Sequence, residues 1–438
     1  MGRMHRREFL GTTAAAGAAT MLGLAPTRRV LGANDAIRVA VVGVRGRGWA
    51  HVQGFHNLNG VEVVAICDCD EAVLNARADA FDRATGRKVK RFIDMRKLFE
   101  DKDIDVVTFA TPNHWHSLGA IWAMQAGKDV YVEKPCSHNV WEGRQLVNWA
   151  RKLDRICGHG TQSRSMRGVR EGIEQLRKGV IGEVYMAKGL CYKWRPSIGK
   201  VDGPQQPPKT VHYDLWLGPA PYKLPHRRQF HYDWHWFWDY GNGDIGNQGV
   251  HQMDIARWGL GVGLPKKVES MGGKFLFDDD KETPNTQVAL YWYPDENKLL
   301  QFEVRHWITN HEAGAGSGSS NEIAVLFFGS DGYMVIAGAG YRTYLGRKRE
   351  PGPSGSGGGD HFANFIEAVR SRNRELLTAE IEEGHLSSAL CHLGNVAYRL
   401  GRAIEFDPST ETCPGDDEAN ALLTREYRKP YVVEPCSG

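Results

Sequence analysis

The strongest constraint on the fold is a repeated alternation of strand-like and helix-like segments that begins at Ala36. Four apolar runs of strand length are IRVAVVG (37–43), VEVVAICD (61–68), IDVVTFAT (104–111) and KDVYVEK (128–134). An amphipathic segment after the first run and segments near 71–86 and 116–127 separate them with helical periodicity, and a further helical segment near 141–153 follows the last run. Strands that are apolar on both faces and alternate with helices indicate a parallel sheet covered on both sides. The sequence therefore predicts a doubly wound α/β domain over residues 35–156.

The second half of the chain has a different texture. Alternating segments such as EVYMAKGLCY, TQVALYWY and LLQFEVRHW follow one another with few helices between them, which favours a mostly antiparallel sheet. Residues 361–404 return to helical periodicity, and we predict that they pack back between the domains. We expect an α+β domain with a large open sheet over 157–405 and a C-terminal tail at 406–438.

The first 33 residues resemble a targeting segment. Arg6 and Arg7 precede an uncharged run from Leu10 to Ala25 that is rich in Gly, Ala and Thr, the pattern of a twin-arginine signal peptide. This run of 16 residues is shorter than the roughly 20 apolar residues of a membrane span, which disfavours a retained anchor. We expect the protein to be exported folded to the periplasm or another extracytoplasmic site, with no stable membrane span in the mature chain.

The basic excess of the chain belongs to that leader. The whole sequence has 55 Lys and Arg against 52 Asp and Glu, and 50 basic and 51 acidic residues remain without the leader. A near-neutral chain gives no reason to expect nucleic acid as a partner. The eight cysteines fit no zinc-binding spacing, so we predict no metal site. Thiols are expected, with a bridge between Cys413 and Cys436 left open.

A glycine-rich turn follows the first apolar run. Gly43, Gly46 and Gly48 lie between that strand and the next helix. Glycines at such a turn let backbone N–H groups at the helix start approach a pyrophosphate. Arg45 stands where the usual pattern has another glycine, and Arg47 also lies in the turn. These five residues are our first candidates for binding a dinucleotide.

Two further segments reach the same crevice, because ligands of a doubly wound sheet lie outside the carboxyl ends of its strands. Asp68 ends the second strand, where a carboxylate can accept from a ribose 2′-hydroxyl; a helix N-cap is the alternative. The acid favours NAD over NADP. The segment ATPNHWH (110–116) ends another strand, so Thr111, Asn113 and His116 are candidate cofactor contacts, unless Asn113 merely caps the next helix.

Four segments together resemble the glucose-fructose oxidoreductase / inositol dehydrogenase (Gfo/Idh/MocA) family: GVRGRGWAH (43–51), ATPNHWH (110–116), EKP (133–135) and GNQGVHQMDIARW (246–258). The resemblance implies a Rossmann domain, a larger open sheet and NAD(P)-dependent chemistry on a sugar-like alcohol. It implies that Lys134 is a catalytic lysine touching nicotinamide and substrate, and we expect Glu133 to orient it. The resemblance also implies dimers or tetramers.

His251 is the second catalytic candidate. An imidazole near its ordinary pKa of about 6.5 can take the proton of an alcohol as hydride leaves the same carbon. The family commonly has an Asp four residues before this His, and here Asn247 replaces it, which places more of the acid–base role on His251. Asp254 lies three residues further along a predicted helix and is expected to share its face. We predict Asn247, His251 and Asp254 as substrate contacts.

An aromatic segment precedes that helix. The run FHYDWHWFWDYGNGD (230–244) can stack on sugar rings and orient hydroxyls. We predict His231, Trp234 and His235 as substrate contacts in a carbohydrate site, with a core or an oligomer interface as the alternative for such a cluster.

Three functions compete for this sequence. We favour an NAD(P)-dependent sugar or glycoside dehydrogenase. A branch with a closely similar fold hydrolyses glycosides through transient oxidation, and the resemblance implies that its members have Val in place of the EKP lysine. This chain keeps Lys134. A non-catalytic sugar-binding protein is the third reading, suggested by Arg45 and Asn247. Export implies a tightly bound NAD, since no free pool exists outside the cytoplasm, and hence ping-pong kinetics.

Overall fold

The computed structural model describes residues 36–307 and 321–436; the predicted signal peptide lies outside these residues. The first lobe contains a parallel sheet of six strands in the order β3-β2-β1-β4-β5-β6. These strands are β1 (Ile37–Val42), β2 (Val61–Cys67), β3 (Lys90–Phe92), β4 (Val106–Phe109), β5 (Asp129–Val132) and β6 (Cys157–His159). The strand order reverses between β1 and β4, which opens a crevice at the carboxyl ends of these two strands.

Five helices cover this sheet: α1 (Arg47–His56), α2 (Glu71–Thr85), α3 (Met95–Glu100), α4 (His116–Gln125) and α5 (Val140–Lys152). Short polar residues cap three of them. Asp70 accepts from the N–H of Ala72 at α2, and Asp94 and Asn139 do the same at α3 and α5. The cap of α2 is therefore Asp70 and not Asp68, which leaves Asp68 for another role.

The second lobe contains a sheet of nine strands in the order β14-β13-β12-β11-β7-β10-β9-β8-β15. Its strands are β7 (Val184–Tyr192), β8 (Lys267–Gly273), β9 (Thr286–Tyr293), β10 (Lys298–Arg305), β11 (Glu322–Gly329), β12 (Gly332–Ala337), β13 (Gly340–Leu345), β14 (Glu350–Ser356) and β15 (Ile404–Glu405). The pair β7–β10 is parallel, and the other paired strands of known register are antiparallel. The predicted fold class, a Rossmann domain followed by an α+β domain with a mostly antiparallel sheet, is confirmed.

Helices and the tail connect the two lobes. The remaining helices are α6 (Arg167–Arg177), α7 (Tyr213–Leu217), α8 (Gly243–Asn247), α9 (Gly249–Leu260), α10 (His361–Ser371), α11 (Ile381–Leu400) and α12 (Asp417–Leu422). Phe365 of α10 packs in the core of the first lobe, whereas Leu390 of α11 packs in the core of the second. Tyr431 and Val433 of the tail return to the first lobe. Cys413 and Cys436 are both free thiols.

One face of the large sheet carries exposed apolar side chains. Met271, Leu290 and Trp292 are 81%, 36% and 40% exposed, and the pairing of β8 with β9 places them on the same side. The opposite side packs against α9 and α11. Among residues 36–307 and 321–436, the side that carries Met271, Leu290 and Trp292 therefore leaves these three apolar side chains exposed.

Candidate active site

The turn after β1 has the geometry that its glycines predict. Gly43 has φ +80°, and a Cβ there would lie 2.8 Å from the carbonyl oxygen of Ala110. At Gly48 a Cβ would lie only 1.6 Å from the carbonyl oxygen of Gly43, whereas at Gly46 it would meet no atom within 4 Å. Gly43 and Gly48 thus permit the close packing of turn and helix, and Gly46 leaves open space at the start of α1.

A cleft of about 740 Å³ extends from this turn. Asp68 lines it, accepting from the backbone N–H groups of Val44 and Asp70 at 3.0 Å each. Burial raises the pKa of Asp68 to about 6, and these two donors oppose the shift. The hydroxyl oxygen of Thr111, also in the lining, is buried and has no hydrogen-bond partner among residues 36–307 and 321–436. An open glycine edge, a carboxylate and an unpaired hydroxyl fit the phosphate and ribose groups of NAD.

The two arginines of the turn have different surroundings. Arg45 lines the cleft. Arg47 turns away to Glu133, with Nε 2.6 Å from Oε1, and the buried imidazole of His51 lies 3.1 Å from the same oxygen. Burial alone would raise the pKa of Glu133, but Arg47 and His51 hold it well below its usual value. Arg47 is therefore engaged with the end of β5, and of the two arginines only Arg45 lines the cleft.

Lys134 connects the lobes. Its Nζ donates to the backbone carbonyl of Asn247 at 2.6 Å and lies 3.3 Å from the Oδ1 of that residue. Of the groups of Lys134, only the backbone N–H donates to Glu133, at 3.2 Å, so the carboxylate does not hold the ammonium as the sequence suggested. Burial lowers the pKa of Lys134, while Glu133 and Asp244 oppose the shift.

His251 lies on α9, four residues after Asn247. It is 9% exposed, and its Nδ1 has no hydrogen-bond partner among the residues that the structure describes. Burial, followed by the nearby Lys134 ammonium, lowers the pKa of His251 to about 3. The imidazole is thus neutral at physiological pH, although its pKa lies well below the ordinary value that we assumed from the sequence.

Asp254 has a structural role in place of the predicted substrate contact. Its carboxylate is fully buried and receives Nε of Arg164 at 2.8 and 2.9 Å and the hydroxyl of Ser387 at 2.7 Å. Arg164 continues to Glu383 at 2.9 Å. This ion pair ties α9 to the segment before α6 and to α11, so Asp254 is already occupied by protein partners.

Asp244 is the residue that the sequence analysis missed. It is buried, with Arg195 donating to its two oxygens at 2.5 and 2.9 Å and Nε2 of His306 2.9 Å away. Burial would raise the pKa of Asp244, but Arg195 and His306 hold it well below its usual value. One indication of it was present in the sequence: Asp244 lies in α8 three residues, or about one helical turn, before Asn247.

The three substrate contacts predicted in the aromatic segment do not all lie in the same place. His231 and Trp234 line the cofactor cleft, and Nε2 of His231 lies 2.8 Å from Asp70. His235 stacks on Trp234 with 3.7 Å between ring centroids. Burial lowers the pKa of His235 to about 3, and Lys134 contributes in the same direction. Of these three residues, His231 and Trp234 therefore lie on the cofactor side, while His235 lies close enough to Lys134 for that ammonium to affect its pKa.

Asn113 and His116 brace the crevice. The side-chain amide of Asn113 donates to Oδ1 of Asn242 in the second lobe at 2.9 Å, and it does not cap α4. The ring nitrogens of His116 lie 2.6 and 2.8 Å from the carbonyl oxygens of Pro135 and Thr111. Both side chains are buried, so they position the loops after β4 and β5 and are not among the residues that line the cleft.

The described side chains and helices also bear on metal binding and membrane insertion. Within the part of the chain that the structure describes, no group of three or more His, Cys, Asp or Glu side chains could hold a metal ion. No helix in the same part is long and apolar enough to cross a bilayer.

Two models of one protein family match this chain. A family model described as an oxidoreductase family with an NAD-binding Rossmann fold matches residues 37–161. Its companion, the C-terminal alpha/beta domain of that oxidoreductase family, matches residues 169–278 and 356–433. Together the two models cover well over half of the chain.

Curated relatives match over a shorter region. A glycosyl hydrolase family 109 protein of Shewanella baltica is 34% identical over 216 residues, which cover 42% of this chain and 45% of that protein. An alpha-N-acetylgalactosaminidase of Shewanella oneidensis is 32% identical over the same length, with the same coverage. The chain thus spans less than half the length of these curated relatives.

Solved structures match the fold over most of the chain. The WlbA dehydrogenase of Bordetella pertussis, solved with NADH and UDP-GlcNAcA, has a TM-score of 0.62 and 19% identity, covering 85% of this chain and 99% of that one. GenD2 from gentamicin A biosynthesis, solved with NAD, has a TM-score of 0.61 and 18% identity, covering 87% and 99%. With both family models matched in order along the two lobes, the chain belongs to the Gfo/Idh/MocA oxidoreductase family and has its NAD-binding Rossmann domain.

Proposed function

We propose that this protein is an NAD-dependent oxidoreductase that acts on a hydroxyl group of a sugar or glycoside, with Lys134 and His251 as its catalytic residues. The observation that carries the proposal is the bond from Lys134 at the end of β5 to the backbone of Asn247, four residues before His251. The Lys134 ammonium also helps to lower the pKa of His251, which supports a neutral imidazole near the ammonium group. Bound NAD supplies a hydride acceptor.

The two residues have complementary tasks. A lysine ammonium has three donors, and Asn247 takes up to two of them, so at least one is available to a substrate oxygen. There it stabilises the negative charge that develops as the alcohol loses its proton. The neutral imidazole of His251 accepts that proton at a ring nitrogen. Positioned proton transfer of this kind contributes about 10²- to 10⁴-fold to a rate.

A carbohydrate is the substrate class that the surroundings support. Asn247 and His235 offer polar groups close to Lys134, and the imidazole of His235, backed by Trp234, provides an aromatic ring suited to a sugar ring. The curated relatives carry names of enzymes that act on glycosides. Together these features favour a sugar or glycoside over a small alcohol.

Export and a tightly held NAD complete the proposal. The support is the twin-arginine pattern at Arg6 and Arg7, which is typical of proteins that fold around a cofactor before transport. An extracytoplasmic enzyme retains its NAD between turnovers, so it needs a second carbonyl substrate that restores the oxidised state. We expect ping-pong kinetics, and release of NADH into solution during turnover would contradict this part of the proposal.

A dimer or tetramer is the proposed assembly. The support is the open side of the nine-stranded sheet, where Met271, Leu290 and Trp292 are exposed. Apolar surfaces of this kind are usually covered by a second copy of the chain. Light scattering during size exclusion measures the mass, and a purely monomeric protein at micromolar concentration would contradict this assembly.

NAD-dependent glycoside hydrolysis is the second candidate. The identity of 34% with a protein named as glycosyl hydrolase family 109 favours it. Hydrolysis regenerates the oxidised cofactor within each cycle and therefore leaves no lasting reduction. Lys134 can donate to the oxygen of a hydroxyl group that is being oxidised to a ketone. Its presence in this chain favours net oxidoreduction.

One experiment separates the candidates. Purified protein with its bound NAD is mixed with mono- and disaccharides and with aryl glycosides, while reduced nicotinamide and free aglycone are followed together. An oxidoreductase gives persistent reduction that is reversed by an added carbonyl compound, without aglycone release. A hydrolase gives aglycone without lasting reduction. Neither signal, with a sugar-induced rise in melting temperature, identifies a binding protein and overturns the catalytic proposal.

A further inference from the structure

A second cavity lies between α11, the loop before α5 and the C-terminal tail. Its volume is about 780 Å³, and we call it the rear pocket. It shares no lining residue with the cofactor cleft, and neither Lys134 nor His251 lines it. The residues that matter for its chemistry are His138, Trp238, Arg399 and Arg425. The proposed oxidoreduction makes no use of this pocket.

Arg425 fixes the polarity of the pocket. Its Nη1 lies 3.1 Å from Nδ1 of His138 and donates to the carbonyl of Asp239, also at 3.1 Å. A guanidinium group can only donate, so Nδ1 of His138 is the acceptor. The Nε of Arg425 is buried and has no acceptor in the described part of the chain. That nitrogen is also sealed from solvent, so the donors of Arg425 that a ligand can reach are those of Nη2, which has no hydrogen bond to the described residues.

His138 is a neutral partner of Arg425 in the wall of the pocket. Burial and the charge of Arg425 hold the pKa of His138 well below its ordinary value, so the ring is neutral. With Nδ1 accepting, its proton lies on Nε2. That nitrogen is sealed from solvent, and a hydrogen bond with the Gly241 backbone opposes the pKa shift, so it is not available to a ligand in the pocket.

Arg399 adds a second guanidinium group. Its centre lies 5.2 Å from the ring centroid of Trp238. Among the described residues it makes no hydrogen bond and no ion pair. Its side chain is exposed at the mouth of the pocket, so its donors are free for a ligand that enters there.

The carboxylates near these arginines are engaged elsewhere. Asp239 pairs with Lys223 at 2.8 Å, and Glu282 accepts from the backbone N–H of Trp238 at 2.7 Å. Glu142, whose pKa burial raises and Arg425 lowers, accepts from Tyr427 and from the backbone N–H of His138 at 3.0 Å each. None of the three lies within 4 Å of Arg399 or Arg425 as an ion pair, so no acid of the described chain neutralises the pocket by direct contact.

We propose that the rear pocket binds a small oxyanion, a carboxylate or phosphate-type group, through Arg425 and Arg399. An anion with two or more free oxygens can accept from Nη2 of Arg425 and from the free donors of Arg399, in charge-assisted hydrogen bonds. Arg399 attracts the anion at the mouth and stacks above Trp238. This site goes beyond the proposed oxidoreductase activity and does not depend on it.

Calorimetric titration of the full-length protein, saturated with NAD so that the pyrophosphate turn is filled, tests the proposal. The titrants are inorganic phosphate, sulfate and glucuronate. We expect one binding site per chain for at least one of them. Binding of the inorganic ions alone identifies a phosphate-type ligand, whereas binding of glucuronate alone identifies an organic acid.

Three variants locate the site. Arg425→Gln is expected to weaken binding at least tenfold, about 1.4 kcal/mol, and Arg399→Gln severalfold. Arg402→Gln is the matched control, because Arg402 lies just beyond α11 and pairs with Asp416 outside the pocket; it should bind as the wild type does. If Arg425→Gln does not fold, Arg399→Gln decides, since its exposed side chain has no hydrogen bond to lose. Equal affinity in all variants, or no binding at millimolar concentrations, overturns the proposal.

Discussion

Lys134→Met removes one charged donor from the gap between the lobes and leaves the rest of the site in place. The methionine side chain keeps most of the volume of the lysine stem but cannot donate to Asn247 or to a substrate oxygen. The glycine turn and Asp68, which border the cofactor cleft, directly follow β1 and β2 and are not altered. We therefore expect a variant that folds and retains NAD but turns over slowly.

The size of the effect follows from the role of the donor. Loss of one preorganised donor at a developing oxyanion lowers kcat by about 10²- to 10³-fold, or about 2.7–4 kcal/mol. The effect on stability is smaller because two contributions oppose each other. The variant loses the bond to the Asn247 carbonyl, worth about 1.5–3 kcal/mol for a charged donor, but it also removes an ammonium whose pKa burial lowers. The free energy of unfolding should change by about 1 kcal/mol or less.

Single-turnover reduction of the bound NAD by substrate measures the chemical step, and denaturant unfolding measures stability. Lys128→Met is the matched control. Lys128 lies just before the opposite end of β5, is 3% exposed, and donates to the carbonyls of Asp101 and Ile104 at 2.6 and 2.8 Å. This control should lose stability and keep its kcat. If Lys134→Met retains a wild-type rate constant, Lys134 does not act on the reacting oxygen, and the catalytic assignment fails.

Three further outcomes are expected. Gly48→Ala forces a Cβ to within 1.6 Å of the Gly43 carbonyl oxygen, so the purified variant should contain little NAD; full occupancy measured by cofactor extraction would contradict the turn geometry. Asp244→Asn leaves the buried Arg195 without its counter-ion and should lower the free energy of unfolding by about 3–5 kcal/mol, whereas an unchanged denaturation midpoint would show that the pair is dispensable. Because burial lowers the pKa of His251 to about 3, the imidazole stays neutral from pH 8 down to about pH 4, and kcat at saturating NAD should have no limb near pH 6.5; a limb there that disappears in His251→Gln would show that its pKa is unshifted.

The first lobe was predictable because its signals are local. The strands of a doubly wound sheet are buried on both faces, so their sequences are continuous apolar runs, and Gly43 and Gly48 reveal a turn where no Cβ fits. The placement of Lys134 was predictable for the same reason. A residue that directly follows a parallel strand lies at the carboxyl edge of the sheet, whatever the rest of the chain does.

The second lobe was harder, because its side chains are oriented by distant partners. Asp254 shares a helix with His251, yet Arg164, 90 positions earlier in the chain, withdraws its carboxylate into the core. His231 belongs to the aromatic segment, yet Asp70, 161 positions earlier, draws it to the cofactor side. Helical spacing can place residues on one face, but it cannot say which long-range ion pair forms. The same limit explains why Asp244 was missed.

The two charges at the end of β5 are neighbours in sequence but have separate partners. Successive side chains of an extended segment point in opposite directions, so Glu133 faces α1, where Arg47 and His51 bind it, while Lys134 faces the second lobe. If the two formed a mutual ion pair, the ammonium would be neutralised by its own neighbour and less able to stabilise an alkoxide. Because Arg47 and His51 occupy the carboxylate instead, Lys134 reaches the substrate side with only neutral oxygen atoms of Asn247 as hydrogen-bond partners among the residues described. A charge in that state gains most from a partner that becomes negative during the reaction, and this is the physical basis for assigning it to the oxygen of the reacting hydroxyl.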